Sequence, residues 1–287
     1  MTTVADPVAG RYGLRLTRTE ALAVRVDVPG TGLTVDDRGR LRLSALVAAA
    51  DVAAGVSTGY AAAPRWTLTA DIDLHRADVA CRDGAAVVGE VAMHGRRLLL
   101  ARVHATASGG PASGGRRGNP SDLDPTQGFV AAGSVNHVHL APSVEPVYRS
   151  LEIGHGVDFA ATPTTASTPS DAFGLCHVER ADGRVAVQIT LTPETANFYG
   201  FLHGAMTGVL VEELAGRELD LVEDLNMRFM RSVTQGPAEA TVVDRIVSGR
   251  RAVLIIEVVD SSTGVVATRA FASGPIRSRG TGGPSHA

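Results

Sequence analysis

The residues of this chain best suited to chemistry lie in one short stretch, where two polar residues come just before an apolar helix. Asn197 and His203 precede Gly204, and the residues that follow are small or apolar. The first amide N–H groups of a helix have no partner inside the helix and carry partial positive charge, so they stabilise an oxygen that becomes negative. The stretch therefore predicts a site that holds and polarises a carbonyl group.

This stretch has no base close to its start. The nearest downstream carboxylates, Glu212 and Glu213, follow His203 by nine and ten residues, which is roughly 13 Å along a helix. One bound carbonyl group cannot contact both ends of that distance. We therefore expect the base to come from a second element that faces the start of the helix.

The chain consists of two halves that resemble each other. Residues 70–75 have a counterpart 153 residues later at 223–228, and residues 94–98 have one 154 residues later at 248–252. A nearly constant offset is typical of a duplicated domain with small loop changes. We predict a flexible N-terminus over 1–10, a first domain over 11–107, a Gly- and Ser-rich linker over 108–140, a second domain over 141–278 and a flexible tail over 279–287.

The sequence of each half predicts an apolar helix, followed by strands with alternating polar and apolar residues. The helices are expected near 43–60 and 203–217. A helix that is apolar nearly all round, as over 46–56, must be enclosed on most sides, and a curved antiparallel sheet would enclose it. This arrangement resembles the hotdog fold. It implies an α+β double hotdog, with two tandem antiparallel sheets each wrapped around a central helix.

Composition restricts the class of protein. The chain has 287 residues, of which 44% are hydrophobic and 20% charged, with a net charge of −3. The arginines are scattered, so no broad basic field for nucleic acid is expected. No signal peptide and no uninterrupted membrane-spanning run is evident, and the two cysteines have no metal-ligand spacing. We expect a cytoplasmic protein with neither nucleic acid nor membrane as partner.

Asp51 is a single carboxylate in a run of alanines and valines. An ionised carboxylate without partners is costly in such surroundings. It can serve as a structural hydrogen-bonding group or face solvent. It can also be the missing base on the facing helix.

A resemblance to a known family favours the role of Asp51 as the base. The pattern Asn-x-x-Gly-x-x-His-Gly over 197–204 resembles that of PaaI-type acyl-CoA thioesterases. In that family the amide after the His, together with the Asn, is understood to polarise the thioester carbonyl. A carboxylate of the facing subunit acts with a hydroxyl eighteen residues further on. Here Thr69 follows Asp51 by eighteen residues.

The two halves are expected to be complementary. The resemblance implies one composite site, in which the oxygen-polarising elements of the second half face Asp51 and Thr69 of the first. The position equivalent to His203 is Arg42, so a second site centred on Glu212 should be degenerate. Asp51 can activate water or attack the carbonyl directly, and both routes stay open. The proposed catalytic residues are Asp51, Thr69, Asn197, His203, Gly204 and Glu212; Asn197 and His203 can also act only as helix caps.

Two pairs of arginines at turns could bind the phosphates of coenzyme A, for which guanidinium geometry is well suited. They are Arg96 with Arg97 and Arg250 with Arg251; the alternative, slightly favoured, is that both are solvated hairpin tips. We expect no cofactor other than the coenzyme A of the substrate, and no metal. A homodimer of double hotdogs stays open.

The predicted function is hydrolysis of an acyl-CoA or acyl-carrier thioester to free acid and thiol. A first alternative is a MaoC-type enoyl-CoA hydratase, although the Asp-x-Asn-Pro-x-His pattern of those enzymes has no good match before the helix. A second alternative is a non-enzymatic acyl-CoA-binding protein. Acyl length and carrier cannot be inferred from these residues.

Overall fold

The computed structural model of the protein describes residues 3–4, 6–63, 65–108, 128–140, 153–154, 156–160, 164–180, 182–197 and 199–278. Its helices are α1 (Pro7–Arg11), α2 (Leu43–Ala62), α3 (Pro169–Phe173) and α4 (Gly204–Ala215). Its strands are β1 (Thr3–Val4), β2 (Arg15–Arg18), β3 (Ala23–Pro29), β4 (Trp66–Arg76), β5 (Gly84–His94), β6 (Leu98–Ala107), β7 (Phe129–Leu140), β8 (Gly156–Phe159), β9 (Cys176–Glu179), β10 (Val185–Ile189), β11 (Asp224–Phe229), β12 (Ala238–Ser248), β13 (Arg251–Asp260) and β14 (Val265–Pro275).

The strands form one sheet of fourteen, in the order β1-β8-β2-β3-β5-β6-β7-β4-β11-β14-β13-β12-β10-β9. In the sheet, the first half reads β2-β3-β5-β6-β7-β4 and the second half, read from its own outer edge, is β9-β10-β12-β13-β14-β11. The two orders correspond strand by strand, as expected for a duplicated domain. The two halves meet where β4 pairs antiparallel with β11, so the two predicted sheets are joined edge to edge. The protein is an α+β double hotdog, and this prediction is confirmed.

Helices α2 and α4 are the core helices of the two halves. Fifteen of the twenty residues of α2 are buried. The helix is long and apolar enough to cross a membrane, but it lies in the core of the protein. Small residues allow close packing around it. A Cβ at Gly89 of β5 would come within 2.6 Å of the backbone carbon of Ala53, and one at Gly208 of α4 within 3.0 Å of Val47.

The loops that lead into α2 and α4 have the same construction. The amide of Arg42 donates to the carbonyl of Thr34 at 2.7 Å, and the amide of His203 donates to that of Thr195 at 2.9 Å. Both core helices therefore begin at equivalent points. Asp51 lies eight residues after the first residue of α2, and Glu212 lies eight residues after the first residue of α4.

The predicted linker over 108–140 is wrong at its C-terminal end. Residues 129–140 form β7, which pairs with both β4 and β6 inside the first half. The reason is the side-chain pattern, which buries Val135 and His137 on one face of the strand. The part of the predicted linker between 109 and 127 lies outside the described residues, as does the predicted tail over 279–287.

Two further boundaries differ from the prediction. Residues 7–11, placed largely in a flexible N-terminus, form α1, whose Val8 and Ala9 are fully buried. Asp6 caps this helix and Pro7 occupies its first turn, a combination that favours helix initiation. Strand β8, assigned to the second domain by sequence, pairs with β2 of the first half.

Candidate active site

A cavity of about 480 Å³ lies where the start of α4 meets the middle of α2. Asp51 of α2 and Gly204 of α4 face each other in its lining. A Cβ built on Gly204 would lie 3.0 Å from Oδ2 of Asp51, so the gap between the carboxylate and the helix start has room for about one further atom. The structure thus brings a carboxylate of the first half directly against the predicted carbonyl-holding element of the second.

Gly204 is the first residue of α4, and its amide N–H has no hydrogen-bond partner within the described part of the chain. The next amide, that of Ala205, donates to Nδ1 of His203 at 3.1 Å. With no Cβ on Gly204, a ligand oxygen can approach the amide from the cavity. The helix dipole adds to the attraction for an oxygen with negative charge.

His203 uses both of its ring nitrogens within the protein. Nδ1 accepts from Ala205, which places the proton on Nε2, and Nε2 lies 3.4 Å from Oδ2 of Asp6. Burial alone would lower the pKa of His203, but the carboxylates of Asp6 and Asp51 together outweigh it and raise the pKa. Protonation of Nδ1 would break the helix cap, which opposes that rise. His203 is therefore placed to fix the helix start, with neither nitrogen left for a ligand oxygen.

Asn197 lines the cavity from the loop that precedes α4. Its Oδ1 accepts from the amides of Tyr199 at 2.9 Å and Phe201 at 3.2 Å. These two bonds define which side-chain atom is the oxygen, so Nδ2 is the atom that can donate to a ligand. Asn197 is thus part of a structured turn and is also able to act as a second donor beside Gly204.

Asp51 is held by the hydroxyl of Thr69, which donates to Oδ1 at 2.6 Å. This leaves Oδ2 as the oxygen that faces Gly204. Burial raises the pKa of Asp51, and the nearby Asp6 adds to the rise, while His203 and the Thr69 bond favour the ionised form and oppose it. The single proton of the Thr69 hydroxyl is therefore committed to Asp51.

His137 is a component of the site that the sequence interpretation missed. It is 1% exposed, and its Nε2 lies 3.3 Å from the hydroxyl oxygen of Thr69. Because Thr69 already donates to Asp51, Nε2 of His137 must be the donor of this contact. Burial lowers the pKa of His137 to about 3, so the ring is neutral near neutral pH. His137 and Thr69 are register partners on β7 and β4.

Asp6 is the second missed component. Its Oδ1 caps α1 by accepting from Ala9 at 3.0 Å, and its Oδ2 faces His203. Its pKa is lowered by His203 and by backbone hydrogen bonds, against the effect of burial. The chain start is thus tied to the beginning of α4. The Asp-Pro pair predicts a helix start at 6–7, but no local pattern predicts its contact with residue 203.

The turn arginines do not line this cavity. Arg96 and Arg97 are exposed at the turn between β5 and β6, Arg251 pairs with Glu223 at 2.5 Å, and Arg250 lines a different cavity. Two other exposed arginines lie at this cavity instead, Arg65 just before β4 and Arg231 just after β11. The cavity wall between them is largely apolar; it includes Val52, Val56, Tyr60, Tyr199, Phe201, Leu202 and Phe229.

Glu212 lies apart from these residues. Its carboxylate accepts from the amides of Leu43 at 2.9 Å and Ser44 at 3.1 Å, the first two residues of α2. It occupies the position at α2 that a ligand oxygen would take at α4. Among the residues that the structure describes, no three His, Cys, Asp or Glu side chains gather in a way that could hold a metal ion.

The fold is similar to that of solved structures, whereas the sequence matches no protein-family model and no curated protein. The tesB protein of Mycobacterium avium subsp. paratuberculosis is 12% identical, with 96% of this chain and 100% of that chain covered and a TM-score of 0.56. A hot dog fold protein of unknown function from Alicyclobacillus acidocaldarius is 9% identical, with coverages of 96% and 99% and a TM-score of 0.57. The 12:0-ACP thioesterase of Umbellularia californica is 9% identical, with coverages of 89% and 95% and a TM-score of 0.56. At such identities the likeness establishes the fold alone.

Proposed function

We propose that the protein hydrolyses an acyl thioester to a free acid and a thiol, through one composite site built from both halves of the chain. The observation that carries the proposal is the position of Asp51 Oδ2 beside Gly204, whose amide N–H points to no partner in the described chain. A base and an electrophile-binding amide on opposite walls of one cavity suit attack on a carbonyl carbon.

In the proposed reaction the thioester oxygen accepts hydrogen bonds from the Gly204 amide and from Nδ2 of Asn197. Each such donor is typically worth about 3–4 kcal/mol in the transition state, because negative charge grows on that oxygen. His203, fixed by Asp6, holds the first turn of α4 so that the Gly204 amide keeps its direction. Asp6 and His203 are therefore positioning residues.

Asp51 supplies the attack by one of two routes. As a general base, Oδ2 takes a proton from water while the water oxygen bonds to the carbonyl carbon; the proton then passes to the departing thiolate. As a nucleophile, Oδ2 itself bonds to that carbon, the thiolate departs, and water cleaves the resulting anhydride. Thr69 serves both routes, since it holds Oδ1 and leaves Oδ2 directed at the substrate.

Coenzyme A is the carrier that the site's surroundings support. The apolar wall of the cavity suits an acyl group, and a volume of about 480 Å³ is within the range of small-ligand sites. Arg65 and Arg231 are exposed residues of the cavity lining and could contact phosphate groups. The similarity of the fold to a 12:0-ACP thioesterase agrees with thioester chemistry. The reaction requires no cofactor and no metal.

The test is thiol release from a panel of acyl-CoAs of increasing acyl length by the wild type and by Asp51→Asn. We expect release by the wild type on at least one substrate and a loss of 100-fold or more in kcat for the variant. Binding of acyl-CoA without thiol release by the wild type would contradict the proposal and favour a binding protein. Addition of water to an enoyl-CoA would favour the hydratase.

A further inference from the structure

A second cavity, of about 950 Å³, lies where the start of α2 meets the middle of α4. The candidate active site lies where the start of α4 meets the middle of α2. The second cavity therefore lies at the equivalent place, with the roles of the two core helices exchanged. We call it the arginine cavity, because seven arginines line it: Arg38, Arg40, Arg42, Arg76, Arg217, Arg250 and Arg277.

The arginine cavity cannot polarise a carbonyl as the first cavity can. The two leading amides of α2 already donate to the carboxylate of Glu212, at 2.9 and 3.1 Å. Ser44 donates its hydroxyl to the same carboxylate. The carboxylate of Glu212 is thereby bound to the helix start, and its negative charge also acts on the Arg76 guanidinium.

The positive charges of the arginine cavity exceed the negative charges that can neutralise them. Two arginines are paired, Arg38 with Asp220 at 2.6 Å and Arg40 with Asp36 at 2.8 Å. The carboxylates of the lining are otherwise Asp37, Glu212 and Glu213, of which Glu213 contacts Ser170 and lies 3.0 Å from His177. Within the described chain no ion pair neutralises the remaining arginines, which are Arg42, Arg76, Arg217, Arg250 and Arg277.

Two guanidinium groups of the arginine cavity are withdrawn from bulk water, that of the paired Arg40 and that of Arg76. Nη1 of Arg40 is buried and makes no hydrogen bond to described residues; its nearest carboxylate oxygens are those of Asp78 at 3.7 Å and Asp220 at 4.0 Å. Arg76 is half-buried on β4, next to the cavity, and makes no ion pair with the described residues. A buried N–H group without an acceptor, such as that on Nη1 of Arg40, is uncommon in folded proteins, and an anionic ligand would satisfy it.

We propose that the arginine cavity binds a ligand carrying two or more phosphate groups, at a site separate from the one that cleaves thioesters. Arginine is suited to this task because its planar fork of N–H donors matches the oxygens of a phosphate. One phosphate would meet Arg40 and Arg76 at the inner wall, and a second would meet the exposed Arg217 and Arg277. The ligand is either an inorganic polyphosphate or the phosphorylated part of a nucleotide.

Isothermal titration calorimetry with pyrophosphate and with adenosine 3′,5′-bisphosphate, at fixed ionic strength, tests this site. We expect saturable binding of at least one of them to the wild type, and the tighter of the two identifies the source of the phosphates. The double variant Arg217→Ala, Arg277→Ala should bind at least tenfold more weakly. Both side chains are exposed, so folding should be kept.

Two controls separate this site from general charge effects and from the catalytic site. Arg102→Ala with Arg228→Ala removes the same charge at exposed positions outside both cavities, and it should bind as the wild type does. Asp51→Asn should also bind normally, so the result does not depend on thioesterase activity. Absence of saturable binding to the wild type, or equal weakening in the two double variants, would overturn the proposal.

Discussion

A single methyl group at position 204 probes the geometry of the candidate active site without removing any polar side chain. In Gly204→Ala, the new Cβ would lie 3.0 Å from Oδ2 of Asp51 and 3.6 Å from Cζ of Phe229. The first distance is too short for an unstrained contact, so the carboxylate must move by a few tenths of an ångström. The methyl group would also stand where a substrate carbonyl has to approach the amide.

The expected effect on activity is large, whereas the expected effect on stability is small. Loss of one oxyanion donor typically lowers kcat about 100- to 1000-fold, or about 3–4 kcal/mol of transition-state stabilisation. Alanine is favoured over glycine in helix interiors by about 0.5–1 kcal/mol, which offsets the strain of the short contact with Asp51, so the free energy of unfolding should change little. We therefore predict a protein with kcat lowered at least about 100-fold and a melting temperature close to that of the wild type.

The assay is steady-state thiol release on the best acyl-CoA substrate, with the melting temperature measured in parallel. Gly59→Ala is the matched control, because Gly59 of α2 also lines the cavity and the same methyl there would have nothing within 4 Å. It should keep kcat within about threefold. Wild-type kcat in Gly204→Ala, or an equal loss in both variants, would refute the proposed geometry.

Three further variants test the groups around Asp51. Thr69→Val removes the hydrogen bond to Oδ1, so the acid limb of the pH profile of kcat/KM should move up by about one pH unit; an unmoved limb would show that Asp51 is not the titrating group. Asp6→Asn keeps a cap for α1 but removes the charge facing His203, so kcat/KM should fall about tenfold with little change in melting temperature; unchanged kinetics would contradict its positioning role. Asp51→Asn should raise the free energy of unfolding at pH 7, seen in urea titration. The sign follows because the folded-state pKa of Asp51 is raised: its stabilising contribution is present below the unfolded pKa and is lost as pH rises through the folded pKa. A less stable Asp51→Asn protein at pH 7 would contradict that direction.

The duplicated fold could be predicted because its signals are local. The core helices and the strands that follow them have strong apolar patterns, and the offsets of 153 and 154 residues pair strand segments between the halves. The joining of β4 to β11 could not be predicted, since strand edges carry no local mark of their partner. Strand β7 was missed because it directly follows a segment with linker composition.

The candidate site could be predicted only in part for a similar reason. Asp51, Thr69 and Gly204 lie at definite positions relative to the starts of predicted helices and a predicted strand, so their spacing can be read from the sequence. Asp6 and His137 join the site through contacts between residues far apart in the chain; His137 is 68 residues from Thr69. Glu212 has the same helix position as Asp51, and only the structure distinguishes its bonds to α2.

Asp51 and Glu212 form a matched pair, because each is the ninth residue of its core helix and each faces the start of the other core helix. The decisive measurement is kcat/KM for thiol release by Asp51→Asn and by Glu212→Gln under identical conditions. The composite site predicts a loss of 100-fold or more for Asp51→Asn and a change within about threefold for Glu212→Gln. Comparable losses in both variants, or a larger loss in Glu212→Gln, would contradict it.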